Sequence, residues 1–106
     1  DGKQTRDYVF VGDVVRANVA ALDANYTGAV NIGTGKETDV VTICKLLRDG
    51  VGSPVEAVHG PAKLGEQRRS CLETVLARRV LGWRPEVGLK EGLEQTIAYY
   101  REAGPA

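Results

Sequence analysis

Gly33-Thr34-Gly35 stands between a short apolar run, Ala29 to Ile32, and a stretch of helical periodicity that opens near Asp39. Strand, glycine turn and helix is the order in which a dinucleotide fold cradles pyrophosphate, because backbone N–H groups at a helix N-terminus face the anion. The full fingerprint also needs a third glycine for close helix packing and an acid about 20 residues further on for the ribose. Thr38 occupies the third glycine's place, and Glu56, the acid at the right distance, lies inside an expected strand rather than at its end. The residues favour a tight turn, with glycine supplying positive φ, over a cofactor site.

A second feature able to do chemistry is a basic band. Between residues 63 and 84, Lys63, Arg68, Arg69, Arg78, Arg79 and Arg84 face only Glu66 and Glu73, while the whole chain has no net charge. Such a band invites an anion, although Arg78 and Arg79 fit a solvated helix face equally well. With one aromatic, Trp83, inside it, the band lacks the stacking platforms of a nucleic-acid surface. Cys44, Cys71 and the single His59 have no metal-ligand spacing. No tyrosine has a lysine four residues later, and neither a phosphate-binding P-loop nor a nucleophile elbow occurs. The expectation is a chain with no catalytic residues, no bound cofactor and no metal of its own.

The elements that must position these residues follow from pattern. Arg6 to Val11 is aromatic and β-branched, hence a strand. Asp13 is placed to cap a helix whose face carries Val15, Val19 and Leu22, ending near Asn25 and Gly28. Ala29 to Ile32 reads as a second strand, buried on both faces as in parallel sheets. Asp39 caps the next helix, with Val40, Ile43, Leu46 and Leu47 as its apolar stripe and Gly50 or Gly52 as its stop. Val55 to His59 is the third expected strand and Ser70 to Leu72 a brief fourth. A short helix spans Val75 to Leu81, closed by Gly82, and Trp83-Arg84-Pro85 is a turn. The last helix runs from Leu89 to about Glu102, with Leu89, Leu93, Ile97 and Tyr100 on one face. The expected fold class is α/β: a small, mainly parallel sheet of three to four short strands with about four helices.

At 106 residues the chain forms one domain at most. No apolar stretch reaches the roughly 18 residues of a membrane span, no apolar leader follows Asp1, and two cysteines far apart suit a cytoplasmic protein with two buried thiols. The chain has no methionine, and the expectation is that it is a piece of a longer protein.

Three stretches in series carry a resemblance. Gln4 to Val14 contains Thr5-Arg6-Asp7-Tyr8-Val9-Phe10-Val11-Gly12-Asp13-Val14. Asn31 to Thr38 reads NIGTGKET. Gly65-Glu66-Gln67-Arg68-Arg69-Ser70 is followed by Ala77 and by Leu81-Gly82-Trp83-Arg84-Pro85. In order and spacing these resemble the C-terminal part of nucleotide-sugar epimerases and dehydratases, the extended short-chain dehydrogenase/reductases typified by UDP-glucose 4-epimerase. The resemblance implies a single substrate-binding lobe over residues 1–106, with the Rossmann domain, its NAD and the catalytic tyrosine and lysine all outside this chain, so that the chain is inactive in isolation. It implies that Arg6 binds the diphosphate of a UDP- or dTDP-sugar, that Tyr8 lies near the same phosphates, that Lys63 stands where a second phosphate-binding arginine is usual, and that Glu66 bonds the nucleotide ribose. A lobe without its Rossmann half would expose apolar surface, and the expected protein partner is that half or a second copy of the chain.

Overall fold

A computed structural model of the chain describes residues 1–54, 56, 58–61 and 68–103. The element order is β1 (Thr5–Arg6), α1 (Val11–Asp23), β2 (Thr38–Asp39), α2 (Val40–Val51), α3 (Val75–Leu81) and α4 (Leu89–Ala103). The α/β class and the four helices agree with the sequence reading. The sheet does not. Among the described residues it is a two-stranded antiparallel ribbon, with Thr5 opposite Asp39 and Arg6 opposite Thr38. On its other side the N–H of Thr5 donates to the carbonyl of Arg68 at 2.8 Å, so the 68–70 segment lies along β1 without forming a ladder. The apolar runs expected to be parallel strands use their side chains instead of their backbones. Val9, Val30 and Ile32 pack against Ala17, Ala77 and Trp83, the core of the molecule. Neither expected property holds for Ala29 to Ile32: Ala29 and Asn31 are exposed and Val30 and Ile32 half-buried, and among the described residues the run joins no ladder. The strand expected at 55–59 falls partly outside the described residues, and Glu56, Val58 and His59 lie in none.

Helix ends follow local chemistry. The Asp39 carboxylate accepts from the Thr42 N–H at 2.7 Å, closing one of the four orphan donors at the start of α2. At the end of α2, Gly52 N–H bonds to Asp49 O at 3.3 Å and Ser53 N–H to Arg48 O at 3.0 Å, a Schellman arrangement, and at the end of α3 Gly82, also left-handed, bonds to Arg78 O at 3.1 Å while Trp83 N–H reaches Ala77 O at 3.3 Å. α1 differs from expectation. It begins at Val11, and Asp13 caps nothing in its own helix. Asp13 is 1% exposed, and its carboxylate receives Arg16 Nη2 at 2.9 Å and the N–H groups of Glu86 and Val87 at 3.1 Å each. Its backbone carbonyl receives Trp83 Nε1 at 2.8 Å. Asp13 therefore pins the 83–87 connection to the start of α1.

The inward face of α1 is correspondingly Asp13 and Ala17, both buried. The valine and leucine face expected to be core, Val15, Val19 and Leu22, is exposed. α4 docks through Gly92, on which the Phe10 ring lies, and its Leu89, Leu93 and Ile97 are half-buried, whereas Tyr100 is exposed. The described residues have a radius of gyration of 16.1 Å and a form of 49 × 36 × 22 Å, where about 13 Å is usual for a compact chain of this length.

Candidate functional site

The three sequence stretches singled out above meet at one junction: residues 5–7, 33–37 and 68–72. Asp7 is its centre. Oδ1 of Asp7 accepts the Thr34 hydroxyl at 2.6 Å and the Thr34 N–H at 2.9 Å. Oδ2 accepts the N–H groups of Gly35 at 2.9 Å and Leu72 at 3.3 Å. One carboxylate thus ties the end of β1 to the glycine turn and to the segment before α3. The turn requires its glycines for two separate reasons. A Cβ on Gly33 would stand 2.7 Å from Asp7 Oδ2 and 3.1 Å from Leu72 Cδ1, and Gly35 has φ of +75°. Burial opposes ionisation of Asp7 and is the largest single influence, but the hydroxyl and three backbone N–H groups together outweigh it. The carboxyl ends below its ordinary value of 3.8.

A second carboxylate closes the other side. Glu37 receives Arg69 Nη2 at 2.6 Å and Nε at 3.0 Å, a fork on a carboxylate, together with the Thr5 hydroxyl at 2.7 Å. Arg69 first and Thr5 second hold the Glu37 carboxyl down to about 2. Arg68 forks in the same manner onto Asp1, at 2.7 and 2.8 Å. Two cations of the basic band are thereby bound to the chain's own acids.

Of the residues expected to meet a ligand, Arg6 lies in β1, immediately before the Asp7 clamp, half-buried, with Nη1 donating to the Thr5 carbonyl at 2.7 Å. Tyr8 follows the clamp and is exposed. Lys63 and Glu66 lie outside the described residues. The glycine turn does not fit a dinucleotide. The Thr34 and Gly35 N–H groups, which would have to face a pyrophosphate, are held by Asp7. The anion in this turn is a side chain of the protein itself. Among the described residues, no group of three or more histidine, cysteine or acidic side chains could hold a metal ion, and no helix is long and apolar enough to cross a membrane.

Residues 1–96 match the family model described as GDP-mannose 4,6 dehydratase. The chain is 45% identical over 102 residues to the UDP-glucose 4-epimerase of Mycolicibacterium smegmatis, covering 95% of this chain and 33% of that protein. The chain belongs to the NAD-dependent epimerase/dehydratase family. Its fold superposes on the UDP-glucose 4-epimerase of Thermotoga maritima, solved with UDP-glucose, at a TM-score of 0.92 and 44% identity, over 97% of this chain and 33% of that one. The Thermus thermophilus UDP-glucose 4-epimerase, solved with NAD, superposes at 0.89 and 34% identity, over 98% of this chain and 33% of that one. The chain thus spans about a third of the length of these relatives.

In this epimerase/dehydratase chain, sequence reasoning missed Asp7 and Asp13 as organising residues. Asp7 was visible only as a neighbour of Arg6. The available signal was an acid at a strand end in a chain whose glycine turn offers N–H groups with no other evident acceptor. For Asp13, burial again is the largest influence and opposes ionisation. Arg16 and the two N–H groups prevail, so this carboxyl too lies below 3.8. Nothing in the spacing of Asp13 and Glu86 announces that pairing.

Proposed function

We propose that this chain is the nucleotide-sugar-binding lobe of an NAD-dependent sugar-nucleotide epimerase or dehydratase, a single unit over residues 1–106 that does no chemistry alone. Arg6 forks onto the diphosphate of a UDP- or dTDP-sugar, since a guanidinium matches phosphate oxygens in pairs. Tyr8 lines the same anion, Lys63 adds a second cation and Glu66 takes the ribose diol. The observation that carries the reading is the junction. The segment bearing Arg6 is fixed by Asp7, Thr5 and Glu37 to the two other segments that resemble the family, so Arg6 leaves the sheet from a determined position. When the longer protein binds NAD, the cofactor supplies hydride transfer. The residues of this lobe bind and orient the sugar nucleotide, and such positioning is a large share of catalysis. Free Cys44 and Cys71 accord with a cytoplasmic setting.

Calorimetry with UDP-glucose and, separately, with NAD tests this. The expected result is weak UDP-glucose binding, reduced about 10- to 100-fold in Arg6→Ala, as loss of a charge-assisted contact of about 1.5–3 kcal/mol requires. No heat is expected with NAD. Saturable NAD binding without UDP-glucose binding would overturn the reading, as would turnover by the purified chain. A second reading, a free-standing binding or assembly module that pairs with its own copy, is favoured by one observation, the breadth of exposed apolar side chains on α1 and α4. It predicts a dimer in solution.

A further inference from the structure

The β1–β2 ribbon has two faces of different chemistry. Directly opposite residues of an antiparallel pair share a face, and neighbours along a strand alternate. Thr5 and Asp39 therefore take one face, Arg6 and Thr38 the other. The first face is tied down. The Thr5 hydroxyl donates to Glu37 at 2.7 Å, and the Asp39 carboxylate accepts from the Thr42 N–H at 2.7 Å. The second face presents a guanidinium and a hydroxyl, with no acid in the ladder beside them. The nearby threonines Thr5 and Thr34 donate their hydroxyls to Glu37 and Asp7. Thr38 differs. It is half-buried, and its hydroxyl has no hydrogen-bond partner among the described residues. No buried side-chain oxygen among those residues lacks a partner, so the Thr38 hydroxyl is open to solvent.

Register sets the spacing. The Val40 N–H donates to the Gln4 carbonyl at 3.1 Å, and bonded and non-bonded pairs alternate along an antiparallel ladder. Two residues on from Gln4, Arg6 and Thr38 are the next bonded pair, with Cα atoms about 5.5 Å apart. Arg6 Nη1 now reaches back to the Thr5 carbonyl. Turned from that carbonyl towards its own face, the guanidinium comes over Thr38. What fits between them is an anion with acceptor oxygens on two adjacent centres, one for the guanidinium fork and one for the hydroxyl. A diphosphate has that form. A carboxylate, with both oxygens on one carbon, is filled by the fork alone.

We infer that Thr38 is a further sugar-nucleotide contact of this lobe, its hydroxyl donating to the phosphate next to the one that Arg6 takes. The inference rests on the lobe reading proposed above. NMR titration of the chain with UDP-glucose tests it, with uridine as the control that carries no phosphate. Thr38→Val keeps the shape and the β-branching that suit a strand and removes the donor. UDP-glucose should then bind about tenfold more weakly, as loss of a hydrogen bond to a charged acceptor requires. Thr38→Ser, which restores the hydroxyl, should bind within about twofold of the parent. Uridine affinity should be the same in all three. The melting temperature of Thr38→Val should equal the parent's, because the hydroxyl has no partner to lose. In an Arg6→Ala background the Thr38→Val penalty should shrink to about threefold or less, since the anion that both hold is no longer seated. A loss in Arg6→Ala with none in Thr38→Val would overturn the inference and leave the lobe reading standing. Equal weakening of UDP-glucose and uridine by Thr38→Val would also overturn it, as the mark of a structural role. A parent chain that binds no UDP-glucose would overturn both.

Discussion

If Asp7 is the anion of the glycine turn, its replacement by asparagine should loosen that turn and little else. The amide has one acceptor where the carboxylate has two. Its better orientation keeps oxygen at the Oδ2 position, facing Gly35 and Leu72, and sets the NH2 where Oδ1 receives the Thr34 hydroxyl and N–H. The hydroxyl can rotate and accept; the Thr34 N–H cannot, and falls back on its longer contact of 3.1 Å to the other oxygen. One charged bond is lost outright and the remainder become neutral bonds of about half the strength, a cost of about 2 kcal/mol. At 1.4 kcal/mol per factor of ten, amide exchange of Thr34 and Gly35 should accelerate about 30-fold in Asp7→Asn. The Thr42 amide, held by Asp39 at the start of α2, should not change. The sign of the pH effect is fixed. The folded carboxyl lies below 3.8, so its stabilisation is complete above that value and is lost as pH falls through the lower folded pKa. Protection of Thr34 and Gly35 should therefore weaken in acid in the native chain, beyond any change in the Asp7→Asn variant. Exchange rates at Thr34 and Gly35 that are the same in both proteins at neutral pH would refute the reasoning, because the turn would then owe nothing to the carboxylate.

Other expectations follow from the same contacts. Gly33→Ala sets a Cβ against Asp7 Oδ2 and Leu72 and should destabilise by about 1–3 kcal/mol in urea unfolding; a smaller penalty in the Asp7→Asn background would register the coupling. Asp13→Asn unbalances a buried acceptor of three donors and should cost about 3 kcal/mol, seen as a lower unfolding midpoint by Trp83 fluorescence. Trp83→Phe leaves the Asp13 carbonyl without its indole donor and should cost about 1–3 kcal/mol by circular dichroism. The Glu37 carboxyl should titrate near 2 by NMR and return towards 4.5 in Arg69→Gln; a native midpoint at 4.5 would show that the fork of Arg69 does not persist in solution.

The parts of this fold legible in the sequence were those decided within one turn of chain. Asp39 capping Thr42, the Gly52 and Gly82 stops and the bounds of α3 are set by neighbours three or four residues away. What escaped was set at long range. The periodicity of Val15, Val19 and Leu22 correctly marked an apolar face, but period carries no information about which neighbour covers it, and Ala17, a smaller residue on the opposite side, is the one that reaches Ala77 and Trp83. Likewise Asp13 has the residue type and place of a helix cap, yet its carboxylate reaches Glu86 and Val87, more than seventy residues away. For Ala29 to Ile32 apolarity misled on both counts, since only Val30 and Ile32 turn towards the core, half-buried, and among the described residues no second backbone pairs with the run.

The same distinction bears on the candidate site. A surplus of arginine in a sequence counts charge before its partners are known. Here Arg69 holds Glu37 and Arg68 holds Asp1, so two cations of the band are taken up by the chain's own acids, and Arg16, outside the band, holds Asp13 at the start of α1. The glycine turn repeats the pattern with backbone donors, closing on Asp7 in place of an external anion. The phosphate-binding role proposed for this lobe therefore rests neither on the band as a whole nor on the turn. It rests on a residue that lies, among the described residues, between segments held by both. That residue is Arg6, which stands between Thr5, bonded to Glu37 and Arg68, and Asp7, bonded to Thr34, Gly35 and Leu72. Backbone held on both sides fixes the point from which the Arg6 side chain starts, and the diphosphate contact proposed for it rests on that, with the guanidinium still to be turned from the Thr5 carbonyl.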